Sequence, residues 1–141
     1  MNKNEAVMSI LFEKLKELEN IKVFKNEPLP QVIPENGIIF LHDGNLGEPE
    51  VLLSPPRYIY HHTAELEVIV QDIKAKNRDK LLDEILENIV QIFSRDTTLG
   101  GAVDYCLLGP PEFLLEASEG VIPLKAAIVP IILEYVSNKN I

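Results

Sequence analysis

The stretch RYIYHHTAELEVIVQ, residues 57–71, decides the fold, because its side chains alternate in character from one residue to the next. Successive side chains of a β-strand point to opposite faces, so this alternation predicts a strand with one face against a core and the other toward water or a polar interface. At about 3.3 Å per residue the strand would extend about 50 Å, so we expect it to bend or to form half of a long β-hairpin. The core face carries Tyr58, Tyr60, His62, Ala64, Leu66, Val68 and Val70, and the opposite face carries Arg57, Ile59, His61, Thr63, Glu65, Glu67, Ile69 and Gln71.

Two amphipathic helices flank this strand in the sequence. Residues 4–19 repeat apolar side chains at helical spacing, and Asn2 or Asn4 is a suitable N-cap. Residues 78–94 carry a continuous apolar stripe, with Asn77 as the expected N-cap. We expect both helices to pack on one face of a sheet. The apolar positions are Val7, Met8, Leu11, Leu15 and Leu18 in the first helix, and Leu81, Leu82, Ile85, Leu86, Ile89, Val90 and Phe93 in the second.

The remaining strand-like segments predict a single α+β domain over residues 1–141, with a mixed, mostly antiparallel sheet. Proline and glycine make residues 26–37 and 42–56 irregular. Pro130 lies in the last strand-like segment and cannot donate a ladder hydrogen bond, so we expect this segment to be an edge strand or bulged. An exposed apolar edge needs a cover, which favours oligomerisation. The short strand candidates are residues 21–25, 38–41, 51–53, 103–108, 112–117 and 122–136.

The stretch DTTLGGAVDY, residues 96–105, lies where the second helix ends and the later strands begin. Adjacent glycines permit positive φ or a close approach of another backbone. The stretch lacks the lysine or third glycine of a phosphate-binding loop. We therefore interpret Gly100 and Gly101 as serving tight backbone packing, within the subunit or against a neighbour.

Composition and charge exclude several classes of function. The chain of 141 residues is 46% apolar and 25% charged, as is typical of a soluble globular domain. Its formal net charge is −9, and its 13 basic residues are dispersed, which argues against nucleic-acid binding. No apolar run reaches the roughly 18–20 residues of a membrane span, so we expect no membrane association. The single cysteine excludes an intrachain disulfide framework and indicates an intracellular protein.

The sequence gives little support for a catalytic or metal-binding site. His61 and His62 are adjacent on a strand and point to opposite faces, so they are poorly placed to share a metal with His42 and Asp43. Cys106 lies in an apolar run without an activating base. The carboxylates Asp96, Asp104 and Glu112 have no distinctive spacing. We therefore predict no enzyme activity, no metal and no cofactor.

The stretch RDTTLGGAVD, residues 95–104, resembles the R-T-L-G-G-x-V signature of the tail terminator family of tailed phages and prophages, also called tail completion or minor tail protein U-like proteins. The likeness extends along nearly the whole chain. An N-terminal helix, a proline-rich first third and a long strand ending in LEVIVQ at residues 66–71 follow in the same order. A closing strand with Ile-Val-Pro at 128–130 and Leu-Glu-Tyr at 133–135 is also similar.

This resemblance implies an α+β subunit that assembles with itself into a ring, typically a hexamer. The ring caps the tail tube protein, ends tail polymerisation and presents a surface to the head–tail connector protein. Six copies at −9 each would carry −54, which suits a passage that lets DNA through without binding it specifically. The expected location is the host cytoplasm during assembly and then the virion tail. The interface candidates are Asp96, Leu99, Gly100, Gly101, Arg57, His61, Glu65 and Pro130.

Two other functions compete with this interpretation. A small bacterial α+β ligand-binding or regulatory domain, possibly dimeric, would place a ligand at the sheet edge and would show a closed pocket. An acyltransferase-like enzyme is less favoured, because no activated nucleophile is visible in the sequence.

Overall fold

A computed structural model describes residues 2–28 and 32–139, so residues 29–31 of the predicted loop 26–37 lie outside the described ranges. The described residues form two helices and one seven-stranded sheet, which confirms the α+β class. In chain order the elements are α1 (Lys3–Leu15), β1 (Lys22–Lys25), β2 (Ile38–Asn45), β3 (Glu50–Leu52), β4 (Arg57–Gln71), α2 (Ala75–Ser94), β5 (Tyr105–Leu108), β6 (Glu112–Glu116) and β7 (Leu124–Ser137).

Strands β4 and β7 form the centre of the sheet. They pair antiparallel over nearly their whole length, from Tyr58 opposite Ser137 to Gln71 opposite Leu124. The strand order is β1-β2-β4-β7-β5, with β3 also on β4 and β6 also on β7. Among the strands of the described residues, β1 and β2 pair in parallel and every other pair is antiparallel. The long antiparallel pair therefore joins segments far apart in the chain, whereas β3 and β4 form a local hairpin.

The alternation in residues 57–71 separates the two faces of the sheet as expected. On β4 the side chains of Tyr60, Ala64, Leu66 and Val68 are all buried against the helices. Both helices contribute to this one core, for example through Leu11 of α1 and through α2. In the part of the chain that the structure describes, no helix covers the opposite face, which buries a small cluster of Ile38, Phe40 and Ile69.

The N-cap predicted from the sequence is confirmed for α1 but not for α2. The Asn2 side chain caps α1 by accepting a 3.0 Å hydrogen bond from the Glu5 backbone N–H. The predicted cap Asn77 is wrong, because α2 begins at Ala75 and Asn77 lies inside it. The Asp72 carboxylate instead accepts the Lys74 N–H at 2.8 Å, which turns the chain into the helix three residues earlier than the apolar pattern suggested.

Pro130 lies in an internal strand, so the expectation of an edge or bulged strand is wrong. It is opposite Glu65 in an unbroken register with β4. Its carbonyl accepts a 2.8 Å hydrogen bond from the Gly109 N–H on the other side. In an antiparallel strand the N–H and C=O of one residue point the same way, so the missing N–H faces the gap between β5 and β6. Residues 109–111 cross that gap, where no ladder bond is lost.

Candidate functional site

The turn between α2 and β5 is built by backbone conformation. Leu99, Gly100 and Gly101 have φ of 50°, 68° and 92°, a left-handed run that strongly favours glycine. A Cβ at either glycine would meet no atom within 4 Å. Tight packing of these glycines within the subunit, one of the two expected roles, is therefore wrong. Leu99 is only 3% exposed and anchors the turn in the core, so its side chain is not available to a partner.

Asp96 holds this turn together. Its carboxylate accepts the Gly100 N–H at 2.8 Å and the Thr98 N–H at 3.3 Å, and it lies 3.7 Å from the Lys14 ammonium of α1. The hydrogen bond from Gly100, with smaller contributions from Thr98 and Lys14, lowers the pKa of Asp96. The residues that carry the family resemblance thus form a turn that ties α1 to the α2–β5 connection.

The sheet separates His42 and His61, on its uncovered face, from His62 and Cys106, which are both opposite Leu133 of β7 on the helix-covered face. His62 is buried, where its Nε2–H donates to the Asp43 carbonyl at 2.6 Å and its Nδ1 lies 2.9 Å from the Tyr135 hydroxyl. His61 points to the opposite face. Burial raises the pKa of the Cys106 thiol to about 12, so the thiol stays protonated at neutral pH. Within the described ranges no three potential metal-ligating side chains cluster.

Four of the interface candidates lie on the uncovered face of the sheet. Arg57, His61 and Glu65 alternate along β4, and Pro130 is the cross-strand neighbour of Glu65. The His61 ring lies 3.8 Å from the Glu134 carboxylate, and at the same distance from that of Glu50. The turn of Asp96, Gly100 and Gly101 follows α2, the helix packed on the other face, so the structure does not bring the eight candidates into one site.

The predicted strand at residues 112–117 is confirmed as β6, but the exposure of its apolar side chains was not predicted from the sequence. All five of its residues are exposed, with Phe113 at 52% and Leu115 at 61%. Within the described ranges, β6 pairs only with β7, so its outer edge is open. The sequence EFLLE was a detectable signal, since an apolar triplet between two glutamates suits a strand without a buried face. Other exposed apolar side chains are Ile73, Val121 and Ile122 near β6, and Val51, Leu52 and Leu53 near the β3–β4 turn.

A recess of about 160 Å³ lies beside the end of α1. It is lined by Leu18, Ile21, Leu81 and Ile85 and by the polar side chains of Glu19, Asn20, Asn36, Glu84 and Asn88. Binding pockets for small molecules usually have a volume of about 300–1,000 Å³. The recess is thus small for a metabolite.

No protein-family model matches the chain, and no curated protein matches it significantly. Within the described residues, no helix is long and apolar enough to cross a membrane.

Proposed function

We propose that the chain is a virion structural protein of a tailed phage or prophage, which assembles into a ring on the end of the tail tube. The ring ends tube polymerisation and joins the tail to the head connector. The observation that carries the proposal is the open apolar edge of β6, because an exposed edge of this kind is a template on which a second chain can pair.

Charge also supports this role. The subunit has a formal net charge of −9, and the uncovered sheet face presents Glu65, Glu67 and Glu134. A ring that multiplies this charge repels the phosphate backbone, so DNA would pass through it without being retained. The proposal therefore assigns neither a catalytic reaction nor a DNA sequence preference to the chain.

The turn at residues 96–101 supports the proposal in a second way. Its hydrogen bonds are made among Asp96, Thr98 and the following glycines, and an ion pair joins it to Lys14. The signature that resembles the tail terminators would then be a structural element of the subunit, as expected where the function is assembly. The open space beside Gly100 and Gly101 leaves room for a neighbouring chain.

Capping of tail tubes tests the proposal. Purified protein is mixed with tubes of the tail tube protein encoded beside it, and the tube ends are imaged by electron microscopy. We expect additional density at one end and tubes that no longer elongate when tube protein is added. Tubes that elongate equally with and without the protein would contradict the proposal.

The recess beside α1 favours a second candidate, a small ligand-binding or regulatory domain. Its three asparagines and two glutamates offer donors and acceptors to a small polar molecule. A metabolite that raises the melting temperature of the wild-type protein but not of Asn88→Leu would support it. The small volume of the recess makes the ring the better-supported proposal.

A further inference from the structure

Strands β1 and β6 lie at opposite edges of the sheet and carry opposite charges. β6 reads EFLLE, with Glu112 and Glu116 at its two ends. β1 reads KVFK, with Lys22 and Lys25 at its two ends. Within the described ranges, β1 pairs only with β2 and β6 only with β7, so each strand has one open edge.

The two edge strands also lie at the same height along the sheet. Val23 of β1 is opposite Ile39 of β2, which is opposite Val68 of β4. From the other side, Phe113 of β6 is opposite Ala127 of β7, which is opposite the same Val68. Directly opposite residues of paired strands point to the same face, so Val23 and Phe113 both point to the helix side.

Strand direction matches as well. β1 runs antiparallel to β4, because it is parallel to β2, whereas β6 runs in the direction of β4. A rotation about an axis parallel to the strands preserves height, strand direction and the side of the sheet on which the helices lie. Such a rotation brings β1 of one copy beside β6 of the next in antiparallel orientation.

In this register the charged side chains become neighbours. Val23 opposite Phe113 places Lys22 opposite Leu114, on the uncovered face. The diagonal neighbours of Lys22 are then Glu112 and Glu116, at about 7–8 Å between backbones, which long side chains span. Symmetric alternatives are disfavoured, because β6 paired with itself sets glutamate against glutamate, and β1 paired with itself sets lysine against lysine.

We propose that β6 of one copy pairs antiparallel with β1 of the next, with Lys22 between Glu112 and Glu116, so that one sheet continues from subunit to subunit. That the paired subunits close into a ring rests on the proposed function. The pairing of the two edges can be measured separately.

Site-specific cross-linking tests the pairing. Val23→Cys and Phe113→Cys are prepared singly and together and treated with a short thiol cross-linker, with the wild type as the control for the buried Cys106. We expect no product from either single variant and only dimers from their mixture. The double variant should form a series of oligomers that ends at a closed ring.

Charge reversal tests whether the pairing of β1 with β6 depends on the charges of Lys22, Glu112 and Glu116. Lys22→Glu alone, and Glu112→Lys with Glu116→Lys, should each abolish cross-linking in the double-cysteine background, and the three changes combined should restore it. Lys25→Glu is the matched control, since it makes the same charge change on the opposite face of β1, opposite Pro111 in this register, and should leave cross-linking largely unchanged. Circular dichroism confirms that each variant is folded.

The outcomes separate this inference from the proposed function. Cross-linked dimers from either single variant, or cross-linking that is insensitive to Lys22→Glu, would overturn the β1–β6 pairing. A wild type that caps tail tubes while the double-cysteine variant gives no product would also overturn it and leave the tail function standing. Oligomers that form through these strands but do not bind tubes would support the pairing and contradict the tail function.

Discussion

Asp96 and Gly101 explain why the turn after α2 has the sequence it has. The backbone passes through three left-handed residues in succession, which leaves N–H groups pointing inward with no ladder to accept them. The Asp96 carboxylate accepts the N–H groups of Thr98 and Gly100, while the Thr98 hydroxyl accepts that of Gly101. Gly100 and Gly101 permit the left-handed backbone, and the hydrogen bonds to the Asp96 carboxylate stabilise it.

Stability should depend on the ionisation of Asp96. Its pKa is lowered from the ordinary value of 3.8, so the ionised form stabilises the fold. This contribution is fully present above pH 3.8 and is lost as the pH falls through the folded-state pKa. The free-energy difference between wild type and Asp96→Asn should therefore be largest near neutral pH and shrink in acid, as measured by urea unfolding. Asp104→Asn is the control, and a difference for Asp96→Asn that stays constant with pH would contradict the account.

Strand β7 shows how a proline can lie in the middle of a sheet. Its two neighbours on one side, β5 and β6, end and begin on either side of Pro130. The connection between them passes close enough that a Cβ on Gly109 would lie 2.6 Å from the Pro130 ring. Pro130, which has no N–H to donate, thus packs against Gly109, which has no side chain to clash with the proline ring.

Substitutions at Gly109 and Pro130 should be strongly coupled. Gly109→Ala forces the Pro130 ring to move and should cost about 1–3 kcal/mol of unfolding free energy. Pro130→Ala removes the obstacle, so Gly109→Ala should cost much less in that background, with a coupling energy of about 1 kcal/mol. Chemical denaturation of the four proteins measures this cycle. Costs that simply add would contradict the packing described here.

The sequence predicted the elements that have a periodic signal and missed those that depend on their neighbours. Alternation in residues 57–71 was enough to place β4 and its buried face, and helical spacing placed α1 and α2. The internal position of Pro130 could not be predicted, because it depends on a gap between two strands whose partner is far away in the chain. The exposure of β6 was missed, although the two glutamates that flank its apolar triplet were a signal of a strand without a buried face.

The candidate site was predictable only in part. The residues of the turn at 96–101 were found by their glycines, but the reason for the glycines, positive φ in open space, required the backbone. The complementary strands β1 and β6 are far apart in the chain, since β1 ends at Lys25 and β6 begins at Glu112. Their common height along β4 follows from strand register, which no local pattern of residues reveals.

The whole molecule is a sheet with one covered face and two complementary edges. The helices bury one side, and the other side is open and acidic around Glu65 and Glu134. A closed assembly would remove both edges from solvent, as a barrel does, and would leave the acidic faces oriented alike in every subunit. This geometry connects the open edge of β6 with the proposed conduit for DNA.

The mass of the native assembly tests the central claim most directly. Native mass spectrometry of the wild-type protein, alone and with tail tubes, should give a closed oligomer whose mass is an integral multiple of 15.9 kDa, with a hexamer expected. Lys22→Glu should reduce it to the mass of one chain. A wild type that keeps the mass of one chain at high concentration and in the presence of tubes would contradict the account.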